Sequence, residues 1–244
     1  MTTTLCIETS GTYCSLALAT GEQVHEISRK LGRTHNAHLL AMLDELFKDS
    51  GCRPGDLELI AFSCGPGSFT GVRLGAAVAQ SVATGAGALR VLHGRGEVSV
   101  VGVSSSWIIA RSAQAMGVTA DRLLTSIRSR GDAYYLALYG SDAHGNDAHG
   151  NDAQVKLEQP DELTESTPGW CLNLDRESTV IVGARPGWLD GFGAAVPTLP
   201  DARVMLALAR QEHAQGRSGT AETALPRYLK GDSPWAKKRL AGPV

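Results

Sequence analysis

The sequence predicts a two-lobed α/β protein with mixed sheets. A set of three strand-like runs followed by alternating helices and strands occurs twice along the chain. Its 244 residues suit one large domain or two small ones. With 43% apolar and 20% charged residues it has enough material for a core and too much for general disorder.

Residues 5–7, 14–19 and 24–28 are short apolar runs punctuated by Gly11 and Gly21, the pattern of an antiparallel meander. A helix opens at Thr34, carries Leu39, Leu40, Leu43, Leu46 and Phe47 at helical spacing, and ends at Ser50-Gly51. Residues 57–63 return to strand, Gly65-Pro66-Gly67-Ser68 turns the chain, and a second helix covers residues 69–84. A strand at 98–103 follows, and Ser104 or Ser105 caps a third helix reaching Met116. The second half begins the same way, with paired strands at 123–127 and 133–139 and a third at 154–158. Pro160-Asp161 opens a short helix, 179–182 reads as a strand and 201–215 as a helix. The halves join near residues 103–107, which divides the chain into an N-terminal lobe over 1–103 and a smaller or degenerate C-terminal lobe over 104–244.

The net charge of −2 argues against a free-standing nucleic-acid binder, which carries a basic excess. The five cysteines, Cys6, Cys14, Cys52, Cys64 and Cys171, are odd in number and show no C-x-x-C spacing, so reduced thiols are expected. No signal-peptide pattern opens the chain, and the weakly polar run 76–92 holds Gln80 and Arg90, so a cytoplasmic protein without a membrane span is expected. Asp142-Ala143-His144-Gly145-Asn146 repeats at once as residues 147–151, within a polar insertion over 142–152. Turn-forming residues dominate it, so a hairpin extension is favoured over a metal site.

The most informative stretch is Gly65-Pro66-Gly67-Ser68-Phe69-Thr70-Gly71-Val72-Arg73-Leu74-Gly75, placed where a strand turns into a helix. It is no Walker phosphate loop, because no lysine follows the glycines at the required spacing. Ser68 reads as the N-cap. Gly71, Gly75, Ala79, Ala83 and Gly87 recur every fourth residue and leave one helix face nearly bare. Glycine inside a helix costs roughly 1 kcal/mol relative to alanine, so the strip needs a reason. Close packing against a helix of the same chain and close packing against a partner's helix are equally compatible with it.

This motif resembles the signature of the TsaB (YeaZ) family. Cys6-Ile7-Glu8-Thr9-Ser10, Thr34-His35, Gly102-Val103-Ser104-Ser105, Leu225-Pro226-Arg227-Tyr228-Leu229 and Trp235-Ala236-Lys237-Lys238 are similar to further family segments, while 140–220 aligns with nothing. The resemblance implies an actin-like/sugar-kinase/Hsp70 (RNase H-like) fold and a cytoplasmic, non-catalytic subunit. Such a subunit binds and activates the TsaD transferase, beside the ATPase TsaE. The product is threonylcarbamoyladenosine next to the anticodon of tRNAs reading codons that begin with A. ATP and a metal are used by the partners, this chain alone binding neither. The chain is implied to form a homodimer when alone and to meet tRNA only through the complex. The pairing surface lies on the first two helices, implying His35, Leu39 and Met42 on one and Gly71, Arg73, Gly75, Ala76 and Ala79 on the other.

Three departures stand out. Glu8 replaces the superfamily's first-loop aspartate, Arg128-Ser129-Arg130 stands where the family has Asp-Ala-Arg, and residues 92–100 look inserted. An actin-like ATPase or kinase is the main alternative, with Glu8, Thr9, Ser10 and Gly183 lining an interlobe nucleotide cleft, read here as degenerate. A phosphotransferase needs cradling glycines, a metal-holding carboxylate and a base; Val182-Gly183-Ala184-Arg185 offers one glycine. A metalloprotease is the weakest alternative: His35 and His38 lie three apart and no H-E-x-x-H occurs. Ser68, Ser104 and Ser105 lack a G-x-S-x-G elbow, so no catalytic residue is assigned. The basic tail, with Lys230, Lys237, Lys238 and Arg239, is expected to be a minor contact to tRNA phosphates at most.

Overall fold

The computed structural model describes residues 2–141 and 155–229. The Asp-Ala-His-Gly-Asn repeat and the basic tail lie outside the described residues. The chain runs β1 (Thr4–Glu8), β2 (Tyr13–Thr20), β3 (Gln23–Lys30), α1 (His35–Ser50), β4 (Leu59–Gly65), α2 (Phe69–Leu92), β5 (Ser99–Ser104) and α3 (Ser105–Ala115). It continues through β6 (Arg122–Arg128), β7 (Tyr134–Ser141), β8 (Val155–Thr164), β9 (Thr179–Gly183) and α4 (Ala202–Ala214).

The first sheet has the order β3-β2-β1-β4-β5 and the second β8-β7-β6-β9. In each, an antiparallel meander is extended by parallel strands beyond its first member. Among the described residues the second sheet has four strands, and a parallel bridge between Val182 and Val196 stands at the β9 edge. Both expected meanders are present, and the duplicated pattern in the sequence is a duplicated topology.

Helices cover both faces of the first sheet. On one face, Leu39, Met42 and Leu46 of α1 and Ala76, Ala79 and Ala83 of α2 pack on Leu5, Ile7, Leu16 and Phe62. On the other, Ile108 of α3 and Met205, Leu208 and Ala209 of α4 pack on Cys6, Ala17, Leu59 and Val101. Strands β1 and β4 are therefore buried throughout, which is why they read as unbroken apolar runs. Gly51, at φ +66°, ends α1 in the left-handed conformation that suits glycine.

Three expectations need correction. Helix α2 does not stop near Thr84 but runs to Leu92 through Gly85 and Gly87. Ala83, Ala86 and Gly87 are buried there, and Arg90 anchors the last turn by donating to the carbonyls of Gly96 at 2.7 Å and Leu57 at 3.0 Å. That packing outweighs the propensity cost of the glycines. Pro160-Asp161 opens no helix, because β8 continues to Thr164. β8 is an edge strand, where a missing N–H is tolerated, and its register against β7 shifts around Gln159. Finally, a division at 103/104 does not describe the packing: α4 lies on the first sheet, Gly219 bridges Val100 of β5, and Arg227 N donates to the Cys64 carbonyl at 2.8 Å. The chain crosses to the second sheet and returns.

Candidate functional site

The segment after β1 lies directly on α2. Gly67, Gly71 and Gly75 face Thr9 and Ser10 so closely that a Cβ has no room. At Gly67 it would stand 2.6 Å from the Ser10 carbonyl oxygen, at Gly75 2.5 Å from the Thr9 hydroxyl, and at Gly71 it would overlap the Thr9 carbonyl oxygen. The approach is held by hydrogen bonds: Thr9 Oγ1 donates to the Gly71 carbonyl at 2.8 Å, and Ser68 N donates to the Ser10 carbonyl at 2.7 Å. Ser68 Oγ caps the helix, accepting from Gly71 N at 3.2 Å. The beginning of the glycine strip thus has a reason inside the chain, and that reason is a loop rather than a helix.

This revises the interface expectation. Ala76 is 3% exposed and Ala79 0%, both in the core, and Gly71 and Gly75 are buried. On α1, Leu39 and Met42 are buried as well. His35 is buried and its Nε2 lies 3.0 Å from the Tyr13 carbonyl, so that nitrogen carries the proton and donates; His38 is exposed. Of the eight expected interface residues, Arg73 is the exposed one. Its guanidinium lies 3.6 Å from the Phe69 ring centre and 5.3 Å from that of Tyr228, and Nε donates to the Tyr228 hydroxyl at 2.8 Å. The Arg227-Tyr228 part of the family-like C-terminal segment is therefore fastened at the start of α2. The pairing of Phe69 with Arg73 four residues on was a signal the sequence offered.

Glu8 is 1% exposed. Its Oε1 accepts from Ser10 N at 2.5 Å and from Ser10 Oγ at 2.6 Å, while Oε2 makes no hydrogen bond among the described residues. Burial pushes its carboxyl up to about 7, against the lowering influence of the Ser10 hydrogen bonds. The unfolded chain releases this proton near pH 4.5, so between about 4.5 and 7 the folded state holds more protons and stability falls as pH rises. Glutamine keeps both Ser10 bonds without the titration. Glu8→Gln is expected to match wild type at pH 4 and to exceed it by on the order of 3 kcal/mol at pH 8. Urea unfolding at both pH values checks this; an equal difference at both means Glu8 is ionised in the folded state.

Between the sheets lies a cleft of about 1150 Å³. Ser10 lines it, but Glu8, Thr9 and Gly183 do not. Gly183, at φ +103°, instead seats the end of β9 against the Ser126 carbonyl, and its N–H donates to Val196 O at 2.9 Å. The cleft is lined by Arg33, Arg128 and Arg130, with Glu165 as the one carboxylate among the lining residues. Behind it, the irregular β8 backbone brings Asp161 to the start of α3. There it accepts from the Ser106 hydroxyl and, at 3.4 Å, from Ser104. Burial pushes the Asp161 carboxyl above its ordinary range, opposed by the Ser106 bond and by Arg227. Nothing local in the sequence signals this pairing of Asp161, whose partners lie more than fifty residues away.

A protein of two similarly ordered mixed sheets, with a cleft between them and a first-strand loop seated on a glycine-faced helix, is of the actin-like (RNase H-like) class. The family model described as "TsaD: tRNA N6-adenosine threonylcarbamoyltransferase" matches residues 23–114. The tRNA threonylcarbamoyladenosine biosynthesis protein TsaB of Escherichia coli is 30% identical over 237 residues, covering 96% of each chain. Its counterpart from Haemophilus influenzae is 30% identical over 251 residues, again covering 96% of each. The solved structure of YeaZ from Pseudomonas aeruginosa matches with a TM-score of 0.71 at 27% identity, covering 94% of this chain and 100% of that one. The chain belongs to the TsaB (YeaZ) family.

Proposed function

We propose that this chain is a non-catalytic subunit that binds and activates a TsaD-type transferase in tRNA threonylcarbamoyladenosine formation. The observation that carries this reading is the outer face of α2. Ala77, Ser81, Thr84, Gly85 and Ala88 are exposed along it, and no charged residue occurs between Arg73 and Arg90. A solvent-facing helix side ordinarily carries charge. The hydroxyls of Ser81 and Thr84 already donate to the carbonyls of Ala77 and Gln80, each at 2.8 Å. Covering this face therefore costs little desolvation, and its small side chains let a partner helix approach closely. Beside it, α1 exposes Ala37, Ala41 and Leu40, the last 67% exposed. The surface lies on the helices implied by the family resemblance, but on their outward sides. It equally suits a homodimer of the free chain, with the transferase displacing one copy.

The relatives' names support the pathway: they are threonylcarbamoyladenosine biosynthesis proteins. Support for the non-catalytic part comes from Glu8, which is buried, bonds Ser10 through Oε1 and does not line the cleft. The expected result is no ATP hydrolysis and no transfer by the isolated chain, and transfer to tRNA by TsaD- and TsaE-type proteins only when the chain is added. Phosphate release and mass analysis of tRNA nucleosides read this out. Robust turnover by the chain alone would replace this reading with the ATPase one.

A further inference from the structure

We infer that Asp161 is a proton-operated clasp at the junction of the two sheets: it ties β8 to the β5–α3 crossover and, through Arg227, sets how firmly the strap over residues 216–229 is held at the start of α2. The device acts within the chain, whatever partner α2 meets.

Three parts of the chain converge on this carboxyl. Asp161 lies on the edge strand β8, close to where the register against β7 shifts. Its Oδ1 accepts from the Ser106 hydroxyl and its Oδ2 from the Ser104 hydroxyl at 3.4 Å. Ser104 ends β5 and Ser106 stands in the first turn of α3, so the carboxyl bridges the second sheet to the segment that leaves the first. The third part is the strap. Gly219 exchanges backbone hydrogen bonds with Val100 at 2.8 Å each, Arg227 N donates to the Cys64 carbonyl at 2.8 Å, and the Tyr228 hydroxyl accepts from Arg73. These anchors on either side keep the Arg227 side chain within electrostatic reach of Asp161. Arg227 forms no ion pair among the described residues, so its charge is not committed elsewhere.

Asp161 is only partly buried as a residue, but its carboxyl is bonded to Ser106, which is 0% exposed. Hydroxyl donors satisfy a carboxylate without neutralising it, and burial holds this one above its ordinary 3.8. The other titratable groups around it are Tyr139 on β7, Cys64 on β4 and Arg227 on the strap. Burial pushes the Tyr139 phenol above its ordinary range and the Cys64 thiol up to about 11, so both stay neutral where Asp161 titrates. Glu8 bears on this cluster through Cys64. Asp161 is thus the group that changes charge, and Arg227 is the cation that answers it. Ionisation strengthens both serine bonds and draws in Arg227; protonation removes that attraction.

The sign of the effect distinguishes the clasp from ordinary unfolding. Global unfolding returns Asp161 to its ordinary 3.8, below the folded value, so its contribution to stability falls as pH rises between the two. Release of the strap removes Arg227, which lowers the folded value, so the released state binds the proton more tightly. The strap is therefore held more firmly as pH rises.

The test is hydrogen exchange at the amide of residue 227, expressed as a protection factor and followed from pH 4.5 to 8 in the full chain. Protection is expected to rise roughly two- to fivefold with pH, the size that a partly screened attraction to an exposed arginine supports. Asp161→Asn keeps the shape of the side chain without the titration and is expected to hold the low-pH protection throughout. Arg227→Gln is expected to flatten the profile at the same amide. Glu8→Gln removes the carboxyl that titrates near pH 7 and is expected to keep the rise. Thermal melts check that each variant folds; should Asp161→Asn not fold, the exposed Arg227 decides the matter alone, loss of the rise supporting the clasp and its retention overturning it. A flat or falling profile in wild type, a rise that survives Asp161→Asn, or one that disappears in Glu8→Gln would also overturn it.

Discussion

Gly71→Ala is expected to destabilise the protein by about 3 kcal/mol or more, the upper end of the range for forced overpacking. A single methyl group produces this because it meets backbone. The Cβ at Gly71 overlaps the Thr9 carbonyl oxygen, and the Thr9 hydroxyl is bonded to the Gly71 carbonyl from the same side. Neither can move without lifting the β1 loop off α2, which also releases Ser68 N from Ser10. The matched control is Gly85→Ala in the same helix. Gly85 is exposed, and a Cβ there meets nothing within 4 Å, so the change is expected to stabilise by up to ~1 kcal/mol through helix propensity. Urea unfolding of the two variants gives opposite signs. A wild-type midpoint for Gly71→Ala would show that the loop is not seated as described.

Ala77→Arg is expected to weaken association with a TsaD-type partner by roughly 100-fold or more, while the chain stays folded. Ala77 is exposed, and arginine is nearly as good a helix former as alanine, so folding has no reason to suffer. A helix docked on this face meets a long charged side chain in place of a methyl group and is forced away along the seam. Ala79→Leu acts in the opposite way. Ala79 is 0% exposed in the α1–α2–sheet core, so added bulk damages folding first. Circular dichroism with sedimentation separates the two: one variant loses the partner, the other loses the fold.

The contrast between Ala77 and Ala79 shows where the sequence was legible. The four-residue repeat of Gly71, Gly75, Ala79 and Ala83 was plain, and so was its demand for close approach. What approaches was not, because Thr9 and Ser10 lie some sixty residues earlier in the chain and are no helix. Amphipathic α1 and the strand meanders are legible in the sequence, since each carries its own period. The apolar stripe of α4 marks a helix that packs, but not the sheet it packs on, which is the first. The extent of α2 was missed because Gly85 and Gly87 imitate a stop, and tertiary burial of Ala86 and Gly87 overrides them. Pro160 misled in the same manner, since a proline on an edge strand and a proline opening a helix look alike. Of the cleft, the family resemblance marks Arg128 as a guanidinium in place of a carboxylate, but not that Arg33 and Arg130 line the same space, because only the fold brings the two loops together.

Helix α2 turns a buried glycine face to its own chain and leaves an uncharged outer face exposed, the face proposed to meet a partner. The measurement that tests this is the mass, by sedimentation or native mass spectrometry, of this chain mixed with a TsaD-type transferase, for wild type and for Ala77→Arg at equal concentration. A complex containing both proteins is expected for wild type, and separate species for a folded Ala77→Arg. A complex of undiminished mass with Ala77→Arg, or none with wild type, would contradict it.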